Sequence, residues 1–493
     1  MQKTDEKKQW TQKNLDKLKG IFPEAFIGNK LVVEKLLQLV GEETDLTNEK
    51  YEFNWYGKAE AIRLIEEPPT KIFQPNLEKS MNWESTNNLY IEGENLEVLR
   101  LLQQSHEGKI KMIYIDPPYN TGMEFIYNDN FRGRVNTFND LQPIKHVSER
   151  LHSNWLNFMY PRLMLARKLL TEDGMIFISI SDKELYNLKK ICDEIFGEEN
   201  FVSTFIWEKK KKPSFLDRNV GCVTEYILAF SKNNEKSQAL SIEKTTIGKK
   251  YPINNAGNAL RVLTFPEGSV KFSLSDGIVQ KQEMSAGKII TELLDDVVIK
   301  NGRNQNAFRL KGEWRYSQER VDEIIRNGEE IVISKVPFRP NHVKKGGEVK
   351  KMKNLFSIPG YGFPTYEDAD KQITELFGKK VFDYAKPEML IRRLIQSLLY
   401  QDEEAIILDF FSGSATTGES VWRLNQEFHK NHRFILVQHP EEINQKTVAY
   451  QEGFRTISEL GWERLKRSRE RILQEGNPEN QDIGFIFLEL KDD

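Results

Sequence analysis

Between residues 88 and 233, short apolar runs alternate with amphipathic stretches, a pattern typical of strands and helices that take turns along a chain. The runs Ile110 to Ile115 (IKMIYI) and Met175 to Ile180 are almost wholly apolar, which predicts strands buried on both faces of a parallel sheet. Shorter runs predict strands at Leu89 to Ile91, Phe201 to Trp207 and Glu225 to Phe230. Apolar residues at helical spacing predict helices over Asn95 to Gln103, Ser153 to Leu170 and Leu185 to Phe196.

The alternation stops over residues 234–380, which hold scattered apolar runs, many Gly and Asn residues and dense charge, and we interpret them as an inserted α+β domain. Residues 1–75 carry apolar side chains at helical spacing (Leu31, Leu36, Leu37 and Val40) and predict a helical N-terminal segment. The predicted fold is a doubly wound, mostly parallel α/β sheet, split between residues 76–233 and 381–493. Its second part contains strands at Ala405 to Leu408, Phe434 to Val437 and Gly484 to Leu490, and helices near Ser420 to Asn425 and Ile457 to Leu473.

Length and charge narrow the class of protein. At roughly 150 residues per domain, 493 residues predict about three domains. The 71 Lys and Arg residues against 74 Asp and Glu residues give a net charge of −3, which excludes a uniformly basic coat protein for nucleic acid. Two cysteines fit a reducing compartment, and the histidines predict no metal site. We expect a cytoplasmic protein, because no apolar run approaches the roughly 20 residues of a membrane span and no signal peptide is evident.

The first candidate site follows the apolar strand IKMIYI. Ligands of doubly wound sheets bind beyond the carboxyl ends of strands, and Asp116-Pro117-Pro118-Tyr119 stands at this place. Consecutive prolines remove two backbone donors and leave carbonyl oxygens free beside a carboxylate. Hydrogen bonds to the Asp116 carboxylate and the Pro117 carbonyl would make the amino nitrogen of a nucleobase more nucleophilic, while the Tyr119 ring stacks on the base. The simpler alternative is a rigid turn that only ends a strand.

The second candidate site is the turn Leu408 to Gly418 (LDFFSGSATTG), where a strand passes through glycine into a helix. Its segment GSATTGES has the spacing of a phosphate-binding loop, but Glu419 stands where that loop needs lysine. A carboxylate repels phosphate, so we expect no nucleoside triphosphate here. A ligand with an amino-acid moiety and a cationic sulfur suits the turn better, and S-adenosylmethionine (AdoMet) is such a ligand.

The two motifs, in this order, resemble those of the modification subunits of type III restriction-modification systems. That family belongs to the DNA adenine-N6 methyltransferases of the permuted β order. The similarity covers most of the chain outside residues 234–380. The matching stretches are NLYIEGENLEVLRLL (88–102), KMIYIDPPYNTG (111–122), HSNWLNFMYPRLMLARKLLTEDGMIFISISDKE (152–184), ICDEIFGEENFV (191–202), TEYILAFSKN (224–233), ILDFFSGSATTG (407–418), RFILVQHPE (433–441) and DIGFIFLEL (482–490).

The resemblance implies roles for individual residues. Asp116, Pro117, Pro118 and Tyr119 match the motif that holds the flipped adenine. Lys386 matches a residue near the methionine end of the cofactor and would pair with its carboxylate; the neighbouring Ala385 stands where proline is more usual. The cofactor-binding residues implied in this way are Asp409, Phe411, Gly413, Ser414, Gly418, Lys386 and Pro387.

Two further positions have open interpretations. Glu94 stands where the family more often has Asp, and it either accepts a hydrogen bond from the cofactor or caps the next helix. After the strand at 434–437, nucleotide-binding sheets commonly place an acid that binds ribose hydroxyls, and Gln438 or Glu441 occupies that place here.

DNA recognition needs a local positive surface. One lysine run follows a predicted strand near the catalytic face, and the segment 335–353 carries seven Lys or Arg residues against one Glu. We therefore interpret residues 234–380 as a target-recognition domain, whereas the basic helix through Arg464 is interpreted as a solvated helix. Trp207 and Tyr366 are candidates for base stacking, with core packing as the alternative that fits Trp207 better. The predicted DNA contacts are Lys209, Lys210, Lys211, Lys212, Lys335, Arg339, Lys344 and Lys345.

The leading hypothesis is a sequence-specific, AdoMet-dependent methyltransferase that flips adenine out of double-stranded DNA and methylates N6. The resemblance implies a homodimer. It also implies a separate ATP-dependent restriction subunit, because this sequence has neither a phosphate-binding loop with its lysine nor a helicase pattern. The sequence ends soon after its last predicted strand, where the family usually continues. The alternatives are an N4-cytosine methyltransferase, an RNA methyltransferase, and a DNA-binding specificity or scaffold subunit with little methylation of its own.

Overall fold

The computed structural model describes residues 17–27, 30–32, 35–36, 39–40, 52–120, 147–213, 219–244, 247–476 and 481–492. The chain divides into two compact units, residues 1–55 and residues 56–493. In the first unit, β1 (Phe26–Ile27) pairs antiparallel with β2 (Lys30–Leu31). The prediction of a helix through Leu31 is therefore wrong, because Leu31 pairs with Phe26 in a short hairpin, and Leu37 lies outside the described residues.

The second unit begins with alternating helices and strands, close to the predicted pattern. The strand at residues 71–81 crosses the expected boundary at residue 75, so the sheet starts earlier than predicted. The elements are α1 (Lys58–Ile65), β3 (Lys71–Met81), β4 (Leu89–Glu92), α2 (Asn95–His106), β5 (Ile110–Ile115), α3 (Val147–Leu169), β6 (Leu170–Ile180), α4 (Leu185–Phe196), β7 (Phe201–Glu208) and β8 (Thr224–Ser231).

Among the described residues, a β-rich segment with one α-helix follows and forms three sheets of its own, of seven, four and two strands. Its core is separate from that of the main sheet and is built around Phe265, Phe308 and Trp314, all of them buried. The elements are β9 (Glu243–Lys244), β10 (Lys250–Pro252), β11 (Leu260–Phe265), β12 (Val270–Phe272), β13 (Gly277–Val279), β14 (Gln282–Glu283), β15 (Thr291–Leu293), β16 (Val297–Lys300), β17 (Arg303–Asn304), β18 (Phe308–Glu313), α5 (Gln318–Arg326), β19 (Glu330–Ile333), β20 (Asn341–Val343) and β21 (Val349–Lys350).

The chain returns to the main sheet earlier than the predicted boundary at residue 380. β22 (Leu355–Phe356) pairs in parallel with β7, and the Phe356 ring stacks on Phe205 with 4.8 Å between centroids. Phe363 and Tyr366 belong to the same core, so residues 355–366 pack with the main sheet. The remaining elements are α6 (Ile358–Tyr361), α7 (Tyr366–Phe377), α8 (Glu388–Leu399), β23 (Ile406–Asp409), α9 (Thr416–Phe428), β24 (Arg433–Gln438), α10 (Val448–Gln451), α11 (Ile457–Gln474) and β25 (Phe485–Asp492).

The main sheet has ten strands in the order β22-β7-β8-β6-β5-β23-β24-β4-β25-β3. From β6 to β25 every neighbouring pair is parallel, whereas β8 and β3 pair antiparallel with their neighbours. The predicted doubly wound, mostly parallel α/β fold is thus confirmed. β5 and β23 lie side by side at the centre of the sheet, although about 300 residues separate them in the sequence. Both strands are apolar and mostly buried, which is typical of central strands in a parallel sheet.

Two absences hold within the described ranges. In these ranges no helix is both long and apolar enough to cross a membrane. The same ranges contain no cluster of three or more His, Cys, Asp or Glu side chains placed to hold a metal ion.

Candidate active site

The two predicted motifs meet at the carboxyl ends of β5 and β23. These strands are parallel neighbours, with Ile113 opposite Leu408. The chain continues from β5 to β6 on one side of the sheet and from β23 to β24 on the other, which opens a crevice between the two strand ends. The structure therefore brings Asp116, after β5, beside the turn that begins at Asp409, and the charge of Asp116 contributes to the raised pKa of Asp409.

The Asp116-Pro117-Pro118-Tyr119 segment is fixed by residues on both sides. The Trp155 indole donates a hydrogen bond to the Pro118 carbonyl at 2.7 Å. The Asn120 side chain donates to the buried Glu184 carboxylate at 2.6 Å, and Asn120 has a left-handed backbone with φ of 54°. Within the part of the chain that the structure describes, no donor contacts the Pro117 carbonyl. The rigid turn therefore leaves the Pro117 oxygen available as an acceptor.

Both oxygens of the Asp116 carboxylate are occupied. The Tyr119 hydroxyl donates to Oδ1 at 2.7 Å, and the Lys386 ammonium donates to Oδ2 at 2.7 Å. Lys386 also donates to the Tyr119 hydroxyl at 2.9 Å, and its ammonium lies 5.1 Å from the centre of the Tyr119 ring. The resemblance implies that Lys386 pairs with the methionine carboxylate of the cofactor, which stays a prediction; among the described residues its buried ammonium pairs with the Asp116 carboxylate.

A second buried carboxylate, Glu225 on β8, completes this network. It accepts hydrogen bonds from Lys209 at 2.9 Å and from the Tyr366 hydroxyl at 2.7 Å, and it lies 3.7 Å from Lys386. Burial alone would raise the pKa of Glu225, but the charges of Lys386 and Lys209 outweigh it and lower that pKa. Sequence reasoning misses Glu225 because a lone Glu in an apolar strand has no distinguishing neighbours.

The pKa of the lysine in this network shifts upward. Burial alone would lower the pKa of Lys386, but the carboxylates of Asp116 and Glu225 outweigh it and hold the pKa above its usual value. The ammonium therefore stays charged at neutral pH. With Lys209, the network contains two carboxylates and two ammonium groups, so its charges balance.

The glycine turn is held by its own side chains. Asp409 is 2% exposed and accepts hydrogen bonds from the Phe411 backbone at 3.1 Å and the Thr417 hydroxyl at 2.5 Å. Burial, helped by the charge of Asp116, raises the pKa of Asp409 to about 7. Gly413 has a positive φ of 52°, which favours glycine, and its N–H donates to the Gln438 side chain at 2.7 Å.

The turn also contains a buried hydroxyl, that of Ser412, which lies within the predicted turn LDFFSGSATTG but is not among the predicted cofactor residues. The Ser412 Oγ is buried and has no hydrogen-bond partner among the described residues. Buried polar atoms in folded proteins are almost always paired, so an orphan hydroxyl at this place marks a position where a ligand would bond.

Arg464 supports the turn from beneath. It is 1% exposed and donates to the Ser414 hydroxyl at 2.9 Å and to the Glu419 carboxylate at 3.1 Å. The interpretation of its helix as merely solvated is therefore wrong at this residue. Ser414 accepts from Arg464 and so helps to hold the turn in place.

Three other predicted cofactor residues have structural roles. A Cβ atom on Gly418 would meet Leu465 at 2.7 Å and Leu436 at 3.0 Å, so this glycine lets α9 pack closely against α11 and the sheet. Phe411 is buried with its ring 5.8 Å from that of Phe158. Pro387 caps the start of α8, directly after Lys386.

Glu94 caps the helix α2, which is one of its two predicted roles. Its carboxylate accepts from the backbone of Leu96 at 2.9 Å and of Glu97 at 2.8 Å, and it pairs with the buried Arg162 at 2.6 Å. Burial opposes ionisation, but Arg162 and the helix N–H groups lower the pKa of Glu94.

The two candidate ribose acceptors, Gln438 at the end of β24 and Glu441 after it, have different surroundings. Because Gln438 is engaged by Gly413, Glu441 is the better candidate for an acceptor of ribose hydroxyls. The Glu441 side chain is half-buried, and burial raises its pKa.

The predicted DNA contacts near the site separate into two groups. Lys209 belongs to the charge network around Asp116 through Glu225, whereas Lys211 and Lys212 are exposed and Lys210 is half-buried. Trp207 is fully buried and donates to the Pro364 carbonyl at 2.8 Å, so core packing is its role.

The predicted contacts in the insert are mostly engaged within it. Arg339 donates to the Thr291 hydroxyl at 2.7 Å, and Lys344 pairs with Glu348. Lys335 and Lys345 are exposed, although Lys345 also donates to the Asn327 carbonyl at 3.0 Å.

Comparison with known proteins gives the family. A family model described as DNA methylase matches residues 110–447. The Mod subunit of the type III restriction-modification enzyme StyLTI from Salmonella typhimurium is 33% identical over 453 residues, which cover 88% of this chain and 65% of that protein. The EcoP15I Mod subunit from Escherichia coli is 32% identical over an alignment of 522 positions, gaps included, which covers 98% of this chain and 78% of that protein.

Among solved structures, the M1.HpyAVI–SAM complex is 14% identical with a TM-score of 0.31, covering 76% of this chain and 98% of that one. The family model and the two Mod subunits confirm the predicted family and the predicted class of enzyme. The chain belongs to the DNA methylase family, together with the Mod subunits of type III restriction-modification enzymes.

Proposed function

We propose that this chain is a sequence-specific DNA methyltransferase that transfers the methyl group of AdoMet to the N6 amino group of adenine. The observation that carries the proposal is the crevice between β5 and β23. There the acceptor atoms of Asp116 and Pro117 lie beside a glycine turn with an orphan buried hydroxyl. This arrangement suits the capture of an amino group on one side and of a small polar cofactor on the other.

The residues of the glycine turn fit AdoMet in their chemistry. The orphan Ser412 hydroxyl needs a polar partner, and Gly413, with its positive φ, lets a ligand approach the backbone closely. Glu441 would accept from ribose hydroxyls, and Asp409 holds the turn in shape through its hydrogen bond from the Phe411 backbone. These residues would bind the cofactor, which supplies an electrophilic methyl group on a cationic sulfur.

Asp116 and Pro117 act on the substrate base. The target adenine must leave the duplex stack, since its amino nitrogen is not accessible to the enzyme within it. The Asp116 carboxylate accepts one N–H of the amino group and the Pro117 carbonyl accepts the other, which directs the nitrogen lone pair for in-line attack. Each Asp116 oxygen already accepts one hydrogen bond, from Tyr119 or from Lys386, so the amino group would share an oxygen with one of these donors or replace it. After transfer, the carboxylate is an acceptor for the proton that the amino nitrogen loses.

Double-stranded DNA is the proposed substrate, and the exposed ammonium groups of Lys211 and Lys212 beyond β7 suit contact with its phosphates. The insert between β9 and β21, which has its own core, is proposed as the target-recognition domain. The relatives are Mod subunits of type III restriction-modification enzymes, which supports a separate, ATP-dependent restriction subunit as a partner. A homodimer and a cytoplasmic location complete the proposal.

The variant Asp116→Ala tests the proposal. Purified wild-type chain, incubated with genomic DNA and AdoMet labelled in the methyl group, should label the DNA, and Asp116→Ala should not. The variant should still retard DNA in a gel, because in this proposal Asp116 contacts the flipped base and the lysines contact the DNA phosphates. Asp182→Ala, at an exposed position after β6, is the matched control and should keep full activity. Full activity of Asp116→Ala contradicts the assignment.

Sequencing of the product DNA separates the alternatives. Single-molecule sequencing identifies the modified base together with its sequence context. We expect N6-methyladenine in one short recognition sequence. N4-methylcytosine would identify the same chemistry on another base, and wild-type protein that binds DNA without labelling it would indicate a specificity or scaffold subunit.

A further inference from the structure

Lys386 stands between two carboxylates. The Lys386 ammonium bonds to Asp116 at 2.7 Å and lies 3.7 Å from Glu225. Its side chain is 5% exposed, so water cannot easily replace either partner. A buried ammonium that leaves one carboxylate therefore needs another acceptor, because an unpaired buried charge is strongly unfavourable.

We propose that Glu225 is a positioning residue for methyl transfer, the second acceptor to which Lys386 moves when the target amino group takes its place on Asp116. The inference rests on the proposed function of Asp116. A movement of about 1 Å brings the ammonium within hydrogen-bond distance of Glu225. Lys386 thus remains paired throughout, and the carboxylate of Asp116 becomes available to the base.

The position of Glu225 does not depend on Lys386. The carboxylate is held by the Tyr366 hydroxyl at 2.7 Å and by Lys209 at 2.9 Å, from α7 and from the end of β7. Tyr119 lies nearby, its hydroxyl 3.4 Å from the same Glu225 oxygen that Tyr366 contacts. An acceptor fixed in this way can receive the ammonium without rearrangement of its own, which keeps the exchange local.

The variant Glu225→Gln keeps the shape of the side chain and removes its charge. Lys386 should then stay on Asp116, and we expect kcat to fall on the order of 100-fold while KM for AdoMet and the affinity for DNA change little. In a Lys386→Met background the same substitution should have almost no further effect on kcat, because Glu225 acts through Lys386. A residue with only a structural role would give additive losses.

Glu208→Gln is the matched control. This carboxylate lies at the end of the neighbouring strand and accepts from the Ile358 backbone at 2.9 Å, so its loss should leave kcat unchanged. If Glu225→Gln does not fold, as thermal melting will show, Tyr366→Phe removes one of the bonds that fix Glu225. This second variant should lower kcat several-fold with KM for AdoMet unchanged, and a wild-type kcat in it overturns the proposal.

The outcomes separate this inference from the proposed function. If the wild type labels DNA but Glu225→Gln has a normal kcat, or if its effect adds fully to that of Lys386→Met, the role of Glu225 is overturned and the methyltransferase remains. If the wild type never labels DNA, the proposed function is overturned, and the inference with it.

Discussion

Asp409 should make the stability of the protein fall as the pH rises toward neutrality. Its carboxyl lies at the end of β23 and is 2% exposed. Burial raises its pKa from the usual value of 3.8 to about 7, although hydrogen bonds from Thr417 and Phe411 act in the opposite direction. The shift is independent of any ligand, so it can be tested on the protein alone.

The sign follows from the two protonation equilibria. The unfolded chain releases the Asp409 proton near pH 3.8, whereas the folded chain holds it until about pH 7. Between these values the folded state binds more protons, so the free energy of unfolding falls as the pH rises and levels off above pH 7. A shift of about three pKa units corresponds to about 4 kcal/mol, of which about 2 kcal/mol is lost between about pH 5.5 and pH 7.

Asp409→Asn removes this titration and keeps an oxygen that can accept from the Phe411 backbone. Between about pH 5.5 and pH 8.5, the free energy of unfolding should fall by about 2 kcal/mol less in the variant than in the wild type. Urea unfolding followed by far-UV circular dichroism measures the difference. Asp182→Asn, at an exposed position, is the control for the amide itself. Parallel pH dependences of wild type and Asp409→Asn would refute the reasoning.

Two further predictions concern the cofactor turn and the DNA surface. Arg464→Met should lower the free energy of unfolding by roughly 3 kcal/mol, because the buried Glu419 loses a cation, and should weaken AdoMet binding several-fold, because Ser414 loses its donor. Thermal melting and isothermal titration calorimetry measure these effects, and unchanged AdoMet affinity would contradict the second. Lys211→Ala with Lys212→Ala should reduce the slope of log Kd against log salt by about 0.9 for each DNA phosphate that the variant no longer neutralises. Fluorescence anisotropy at several salt concentrations measures the slope, and an unchanged slope would exclude these lysines from the interface.

The strands of the main sheet could be predicted because their burial is visible in the sequence. The run IKMIYI forms β5 with the predicted ends, since a continuous apolar run has few alternatives to a doubly covered strand. The positions of the two motifs followed from these strand ends. By contrast, Leu355–Phe356 is a two-residue strand within a polar segment, and only its pairing with β7 assigns it to the main sheet.

The members of the charge network could not be predicted in the same way. Lys386 and Asp116 are 270 positions apart, and Glu225 and Tyr366 are 141 positions apart. No local spacing relates such residues, and an isolated Glu or Arg is usually solvated. The same reason explains why the sequence predicts a surface position for Arg464 although it lies buried beneath the turn.

The sequence by itself determined which segments become strands and helices, and that the Asp116 and Asp409 motifs stand at strand ends, because these features depend on neighbours a few positions apart. The tertiary structure decided which charged groups share one buried site, and hence that Lys386 serves Asp116 and Glu225. The physical reason is that burial fixes the partners of a charge. An ammonium group removed from water is stable only beside carboxylates, and the arrangement of the whole sheet decides which carboxylates lie beside it.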